Sequence, residues 1–355
     1  MLLHRFACFA LLCGLAPSTD QRPLRAVAEP TRFLVGTAVR PGLLNERAYA
    51  DTLAGEFNMV EPEDAMKWWV LHPQAGVYDF EKADKIVIFA KLHGMKIRGH
   101  TLVWGNTNPD WLVDGRYTPK QLSNLLREHI ERVVGHYKDE VFAWDVVNEA
   151  FDENGHLRST LWYDQPGIGL DKKGPGYIEQ SFRWAHAADP HALLFYNEAL
   201  GEEVNVKSDA IYAMVRDFVQ RGVPIHGVGL QMHVENMRID AASVAKNIER
   251  LTGLGLEVHI TELDVGIPVD ERGQARDPRD LEKQAEIYRQ IAEACLAHRG
   301  CTAIQTWGFT DRYSWIGSHS RKTKGMGLPF DAAYRPKPAY EALQTALRAR
   351  RDDGR

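Results

Sequence analysis

Apolar residues along the chain fall into two alternating patterns. Short, nearly continuous runs occupy residues 33–39, 57–60, 96–104, 141–147, 193–196, 228–234, 257–260 and 303–307, and each reads as a strand buried on both faces. Between them the apolar positions recur every three or four residues. Ala83, Ile86, Val87 and Ala90 share one helical face, with Asp79 as a cap ahead of them and Gly94 closing the segment. Thr118 and Pro119 open another helix as N-cap and first-turn residue, followed at helical spacing by Leu122, Leu126, Ile130, Val133 and Val134. Ile211, Met214, Val215 and Phe218 mark a further helix stopped by Gly222; others surround Val244, Ile248 and Leu251 and span about 281–295. Eight strand signals alternating with helix signals predict an α/β fold, a single (β/α)8 TIM barrel. The 355 residues suffice for one such barrel, and no linker to a second module appears.

Two of the runs stop abruptly at a carboxylate. WDVVNE ends at Asn148 and Glu149, and ITELDV carries Glu262, with Asp264 two positions on and pointing the same way if the strand persists. In a parallel barrel the carboxyl ends of the strands gather on the face that holds the chemistry, so the two glutamates are candidates for one site. A lone glutamate there is more often a strand cap or the partner of a lysine.

Composition narrows the partners. A net charge of -5 offers no basic surface to a nucleic acid. His4 and Arg5 precede an apolar run at 6–15 that is too short to cross a bilayer and reads as a signal peptide. Cleavage after the triplet Ala26, Val27, Ala28 would make 1–28 the leader and 29–355 the catalytic domain, secreted or periplasmic, with no membrane span. Losing the leader removes Cys8 and Cys13 and leaves Cys295 and Cys301, whose spacing alone permits either a bridge or two buried thiols.

WDVVNE and ITELDV, with GHTLVW at 99–104, the segment around Glu63 and Lys67, LQMHV at 230–234 and the late Trp307 and Trp315, resemble glycoside hydrolase family 10. The resemblance runs from about 33 to 347 in the expected order, and that family comprises retaining endo-1,4-β-xylanases. It implies Glu149 as general acid/base and Glu262 as nucleophile, forming a covalent glycosyl-enzyme on the way to products. It also implies that Asn148 bonds the sugar 2-hydroxyl and that His233 bridges Asp264 and Glu262. Trp104, Trp307 and Trp315 are then walls for sugar rings, and Glu63, Asp64, Lys67, His100, Asn197 and Gln231 polar sugar ligands. Cys295 and Cys301 become a disulfide. The remaining implications are a monomer acting on xylan or xylo-oligosaccharides, with no cofactor and no metal. Trp68, Trp69, Trp144, Trp162 and Trp184 read as core residues.

Two positions depart from the family pattern. Asp64 stands where relatives typically carry Asn, and an ionised Asp accepts hydrogen bonds without donating. Gly105, where relatives often carry His, is expected to loosen the wall beside Trp104. The competing readings are the same chemistry on cellulose or mixed-linkage glucan, and a catalytically dead barrel that only binds polysaccharide. Against the latter, Glu149, Glu262 and Asn148 are all present.

Overall fold

The computed structural model describes residues 22–353. Strands β1 (Leu34–Val39), β2 (Met59–Pro62), β3 (Lys96–Trp104), β4 (Ala143–Asn148), β5 (Leu193–Glu198), β6 (Gly227–Leu230), β7 (Glu257–Val265) and β8 (Cys301–Thr306) pair in parallel, each with its neighbour in sequence. Pairing of β8 with both β7 and β1 closes the barrel. The expected (β/α)8 architecture is therefore present. Helices α1 (Arg47–Glu56), α2 (Glu81–Leu92), α3 (Pro119–His136), α4 (Gly176–Ala188), α5 (Val206–Gln220), α6 (Ala241–Thr252), α7 (Arg279–Leu296) and α8 (Pro338–Asp353) follow the strands in turn.

The hydrophobic core lies between strands and helices. Val60, Ile97, Val146, Leu194, Val228 and Ile260 from the strands share it with Ile86, Ile130, Phe182, Val215, Ile248 and Ile291 from the helices. Inside the barrel the strands present polar residues instead. Arg98 bonds Asp145 through Nε at 3.1 Å, reaches His259 Nδ1 at 2.8 Å and lies 4.5 Å from the Phe195 ring centre. Gln305 donates to Glu61 at 2.7 Å. Groups from β2, β3, β4, β7 and β8 thus meet on the barrel axis. Burying them without partners would cost several kcal/mol per ion, roughly, so the pairing is a condition of the fold.

Local signals set several boundaries. Thr118 and Gln121 form a reciprocal capping box at the start of α3, a device worth about 1 kcal/mol. Phe80, not Asp79, is the N-cap of α2, although Asp79 Oδ1 still accepts from the Glu81 N–H at 3.0 Å. The sixth run is split: β6 ends at Leu230, Met232 turns with φ 71°, and His233–Val234 resumes beside β7. That extra pairing carries β7 on to Val265.

A short helix, Leu24–Ala28, covers the bottom of the barrel, where the strands begin, with Leu24, Val27 and Ala28 buried. The Leu24 N–H donates to Glu56 Oε2 at 2.9 Å and Arg25 Nη1 to the Ala54 carbonyl at 2.6 Å. Cleavage after Ala28 would take this helix away. The apolar run of the expected signal peptide, at 6–15, lies outside the described residues. A disulfide joins Cys295 to Cys301 between α7 and β8. Among the described residues no helix is long and apolar enough to cross a membrane.

Candidate active site

Glu149 follows β4 directly and adopts a left-handed backbone conformation, φ 54°, which costs a residue with a Cβ roughly 1–2 kcal/mol. Its N–H donates to the Asn197 carbonyl at 3.0 Å. Its carboxylate accepts from the Trp104 indole at 3.1 Å and from the Gln231 amide at 2.9 Å, both neutral donors. Glu262, inside β7, accepts from Asn197 Nδ2 at 2.8 Å and lies 3.2 Å from His233 Nε2.

Three amides link the two carboxylates. Gln231 Nε2 reaches Glu149 and, at 3.3 Å, Asn148 Oδ1; Asn197 Nδ2 reaches the same Asn148 oxygen at 2.9 Å and Glu262. The Asn148 side-chain NH₂ is buried without a protein partner while the residue lines the cleft, so a donor stands ready for a hydroxyl.

His233 sits between two carboxylates, with Nδ1 3.0 Å from Asp264 Oδ2, which also accepts from the Trp315 indole at 2.7 Å. Burial works against a charge on His233, but Asp264 and Glu262 outweigh it and hold its pKa well above the ordinary 6.5. Burial likewise pushes Glu262 up, yet the hydrogen bond from His233, the proximity of His100 and the amide of Asn197 leave it below the usual carboxylate range. Glu262 is thereby kept as an anion against an imidazolium.

One cleft of about 410 Å³ is lined by Glu63, Asp64, Lys67, His100, Trp104, Asn148, Glu149, Gln231, His233, Glu262, Trp307 and Trp315. The structure therefore brings together all the expected site residues except Asn197 and Asp264. Asn197 is fully buried behind the cleft: its amide donates to Asn148 and Glu262 and its oxygen accepts from Thr261 at 2.8 Å, so it braces the glutamates from behind. Asp264 lies outside the lining and contacts His233 and Trp315.

The two departures look different in three dimensions. Asp64 pairs with Lys67 at 2.7 Å, and the Lys67 ammonium lies 5.1 Å and 5.6 Å from the Trp104 and Trp307 rings. Gly105 leaves no gap, because a Cβ there would lie 2.7 Å from Thr160 Cγ2. Among the expected core tryptophans, Trp68, Trp144 and Trp162 are buried and Trp184 packs against the core, but Trp69 is 48 % exposed, since it follows Trp68 on a helix of four residues with one inward face.

The sequence reading missed Arg40, Ala199, Leu200, Glu235 and His319. Arg40, just past β1, grips Glu63 with two hydrogen bonds of 2.6 Å. The other four line the cleft. Glu235 lies in the turn just past His233–Val234, two residues after His233, and His319 is the fourth residue after Trp315 on a helical turn; Ala199 and Leu200 carry no signal. Glu61, His100 and Asp145 bring ligand atoms within 4.8 Å of one another, yet Arg98, on Asp145 and 3.8 Å from Glu61, already supplies the positive charge there.

Known proteins resemble this chain over nearly its whole length. Endo-1,4-beta-xylanase B of Thermotoga neapolitana is 40% identical over 346 residues, 96% of each chain. The crystal structure of xylanase 10B from Thermotoga petrophila in complex with xylobiose superposes with a TM-score of 0.87 at 41% identity, covering 92% of this chain and 97% of that one. The intracellular xylanase from Thermoanaerobacterium saccharolyticum gives 0.81 at 37% identity, covering 91% and 98%. The family model for Glycosyl hydrolase family 10 matches residues 23–346, from the helix that covers the barrel floor to the middle of α8, and the chain belongs to that family.

Proposed function

We propose that this protein is an endo-1,4-β-xylanase that retains anomeric configuration by double displacement. Glu262 attacks the anomeric carbon while Glu149 protonates the departing oxygen; Glu149 then deprotonates the water that releases the glycosyl-enzyme. The observation that carries the reading is the asymmetric pair: Glu262 faces a histidine held cationic by Asp264, whereas Glu149 faces only an indole and an amide. A permanent anion suits the nucleophile, and a carboxyl free of cationic partners suits proton delivery. Trp104, Trp307 and Trp315 supply flat apolar walls for pyranose rings, and Lys67, His100 and the Arg40-held Glu63 supply hydroxyl partners.

We also infer export. The basic start and apolar run at 6–15 support it, as does the Cys295–Cys301 disulfide, a bond typical of oxidising compartments.

The test compares leaving groups. Glu149→Ala is expected to lower kcat/KM on xylohexaose by about a thousandfold while sparing dinitrophenyl xylobioside, whose leaving group needs no proton. Glu262→Ala should abolish turnover of both. NMR of the first anomer released should show β-xylose ends; α ends would overturn the covalent route. Initial rates on cello-oligosaccharides exceeding those on xylo-oligosaccharides would replace xylan by another β-1,4-glycan.

A further inference from the structure

Both faces of the end of β5 hold the acid segment, and only one of them lines up with the cleft. On the inner face Asn197 braces Asn148 and Glu262. On the outer face Tyr196 and Glu198, two apart and therefore side by side, take the two backbone N–H groups that follow Glu149. The Ala150 N–H donates to Tyr196 Oη at 3.1 Å, the Phe151 N–H donates to Glu198 Oε2 at 3.1 Å, and Tyr196 Oη donates to that same oxygen at 2.5 Å. Lys207 Nζ completes the cluster on Glu198 Oε1 at 2.8 Å.

Lys207 is 2 % exposed and stands in the first turn of α5, where the helix dipole disfavours a cation. Burial pushes Glu198 up to about 7, against the pull of Lys207. Lys207 gains nothing from its own helix, and neither side chain lines the cleft, although Glu198 Oε1 also accepts from the Ala199 N–H at 3.2 Å. Through Glu198 Oε2 the pair reaches the turn that carries Glu149 in its left-handed conformation.

We propose that Tyr196, Glu198 and Lys207 form a buried clamp that fixes the backbone after Glu149 and so sets the direction from which its carboxyl meets the leaving oxygen. The three are positioning residues, and the inference rests on Glu149 being the acid. With the clamp loosened, the turn relaxes and Glu149 swings off line, whereas Glu262, held from the inner face by Asn197 and His233, stays in place.

Tyr196→Phe, Glu198→Ala and Lys207→Met in the full chain are assayed on xylohexaose and on dinitrophenyl xylobioside, with Glu149→Ala as the reference. Expected is a loss of kcat on xylohexaose of about tenfold to a hundredfold, with its KM nearly unchanged and kcat/KM on the aryl substrate kept. Should Glu198→Ala or Lys207→Met not fold, Tyr196→Phe, which keeps the volume and removes only the hydroxyl, decides alone. Equal losses on both substrates, or no loss on either, while Glu149→Ala still separates them, overturn the clamp and leave the acid assignment standing. If Glu149→Ala itself fails to separate the substrates, the acid assignment falls and the clamp with it.

Discussion

Glu61 is a carboxyl kept wholly from water. It is fully buried on β2; Oε2 accepts from Gln305 at 2.7 Å, while Oε1 has no hydrogen-bond partner and lies 3.3 Å from His100 Nδ1. Burial, then the charge of Asp145, hold its pKa well above the ordinary 4.5 despite Arg98. The folded chain therefore retains a proton that the unfolded chain releases. That contribution to stability is complete below about pH 4.5 and is lost as pH rises towards the raised value. Glu61→Gln keeps the shape without the charge, so at pH 7 it should be as stable as the parent or more stable by about 1–3 kcal/mol. At pH 4.5 the two should unfold alike in urea; an equal destabilisation at both pH values would refute the neutral carboxyl. Glu149 and Glu262 stood out in the sequence because each belongs to a strand-like run and both fall in blocks that resemble the family. Glu61 did not, and neither did the bond from Asn197 to Glu262, because the partners sit on other strands: Gln305 is 244 residues from Glu61, and Glu262 is 65 from Asn197.

Elements were legible where their signals are local. The bounds of α3 follow from Thr118, Pro119 and the leucine spacing, all within one segment. β6 and β7 were misjudged, because Met232 breaks the sixth run and the pairing of His233–Val234 prolongs the seventh, a contact no short window reveals. The apolar reading of β4 also passed over Asp145, whose charge is acceptable only because Arg98 comes from β3. At this scale the Cys295–Cys301 disulfide is a separable part. It ties the end of α7 to the start of β8, at the opposite end of the barrel from the cleft. A ring with so few residues removes loop entropy worth on the order of 2 kcal/mol. The double substitution Cys295→Ser with Cys301→Ser should therefore lower Tm by only about 3–6 °C, with kcat/KM on xylohexaose unchanged. A changed kcat/KM would mean that strain at the bottom of β8 reaches Trp307, the residue that follows its upper end.

For the whole molecule, barrel closure brings the two ends of the described chain together beneath the strands. Gln344 on α8 donates to the Arg22 carbonyl at 2.7 Å, and Tyr340 on α8 shares the Glu56 carboxylate with the Leu24 N–H, both at 2.9 Å. Leu24 and Val27 are fully buried in this floor. Starting the chain at Glu29 would expose their contact surface, at about 1.5–3 kcal/mol for each side chain, and would strip Glu56 of one of its two donors. Its Tm should fall by roughly 10 °C relative to a chain that starts at Arg22, with the residual activity at low temperature intact because the cleft lies at the far end of every strand. If the chain is exported as proposed above, processing is expected ahead of Leu24, and mass spectrometry of the mature protein should find a first residue at or before 23. Equal melting of the two chains would make the floor helix dispensable and readmit a cut after Ala28.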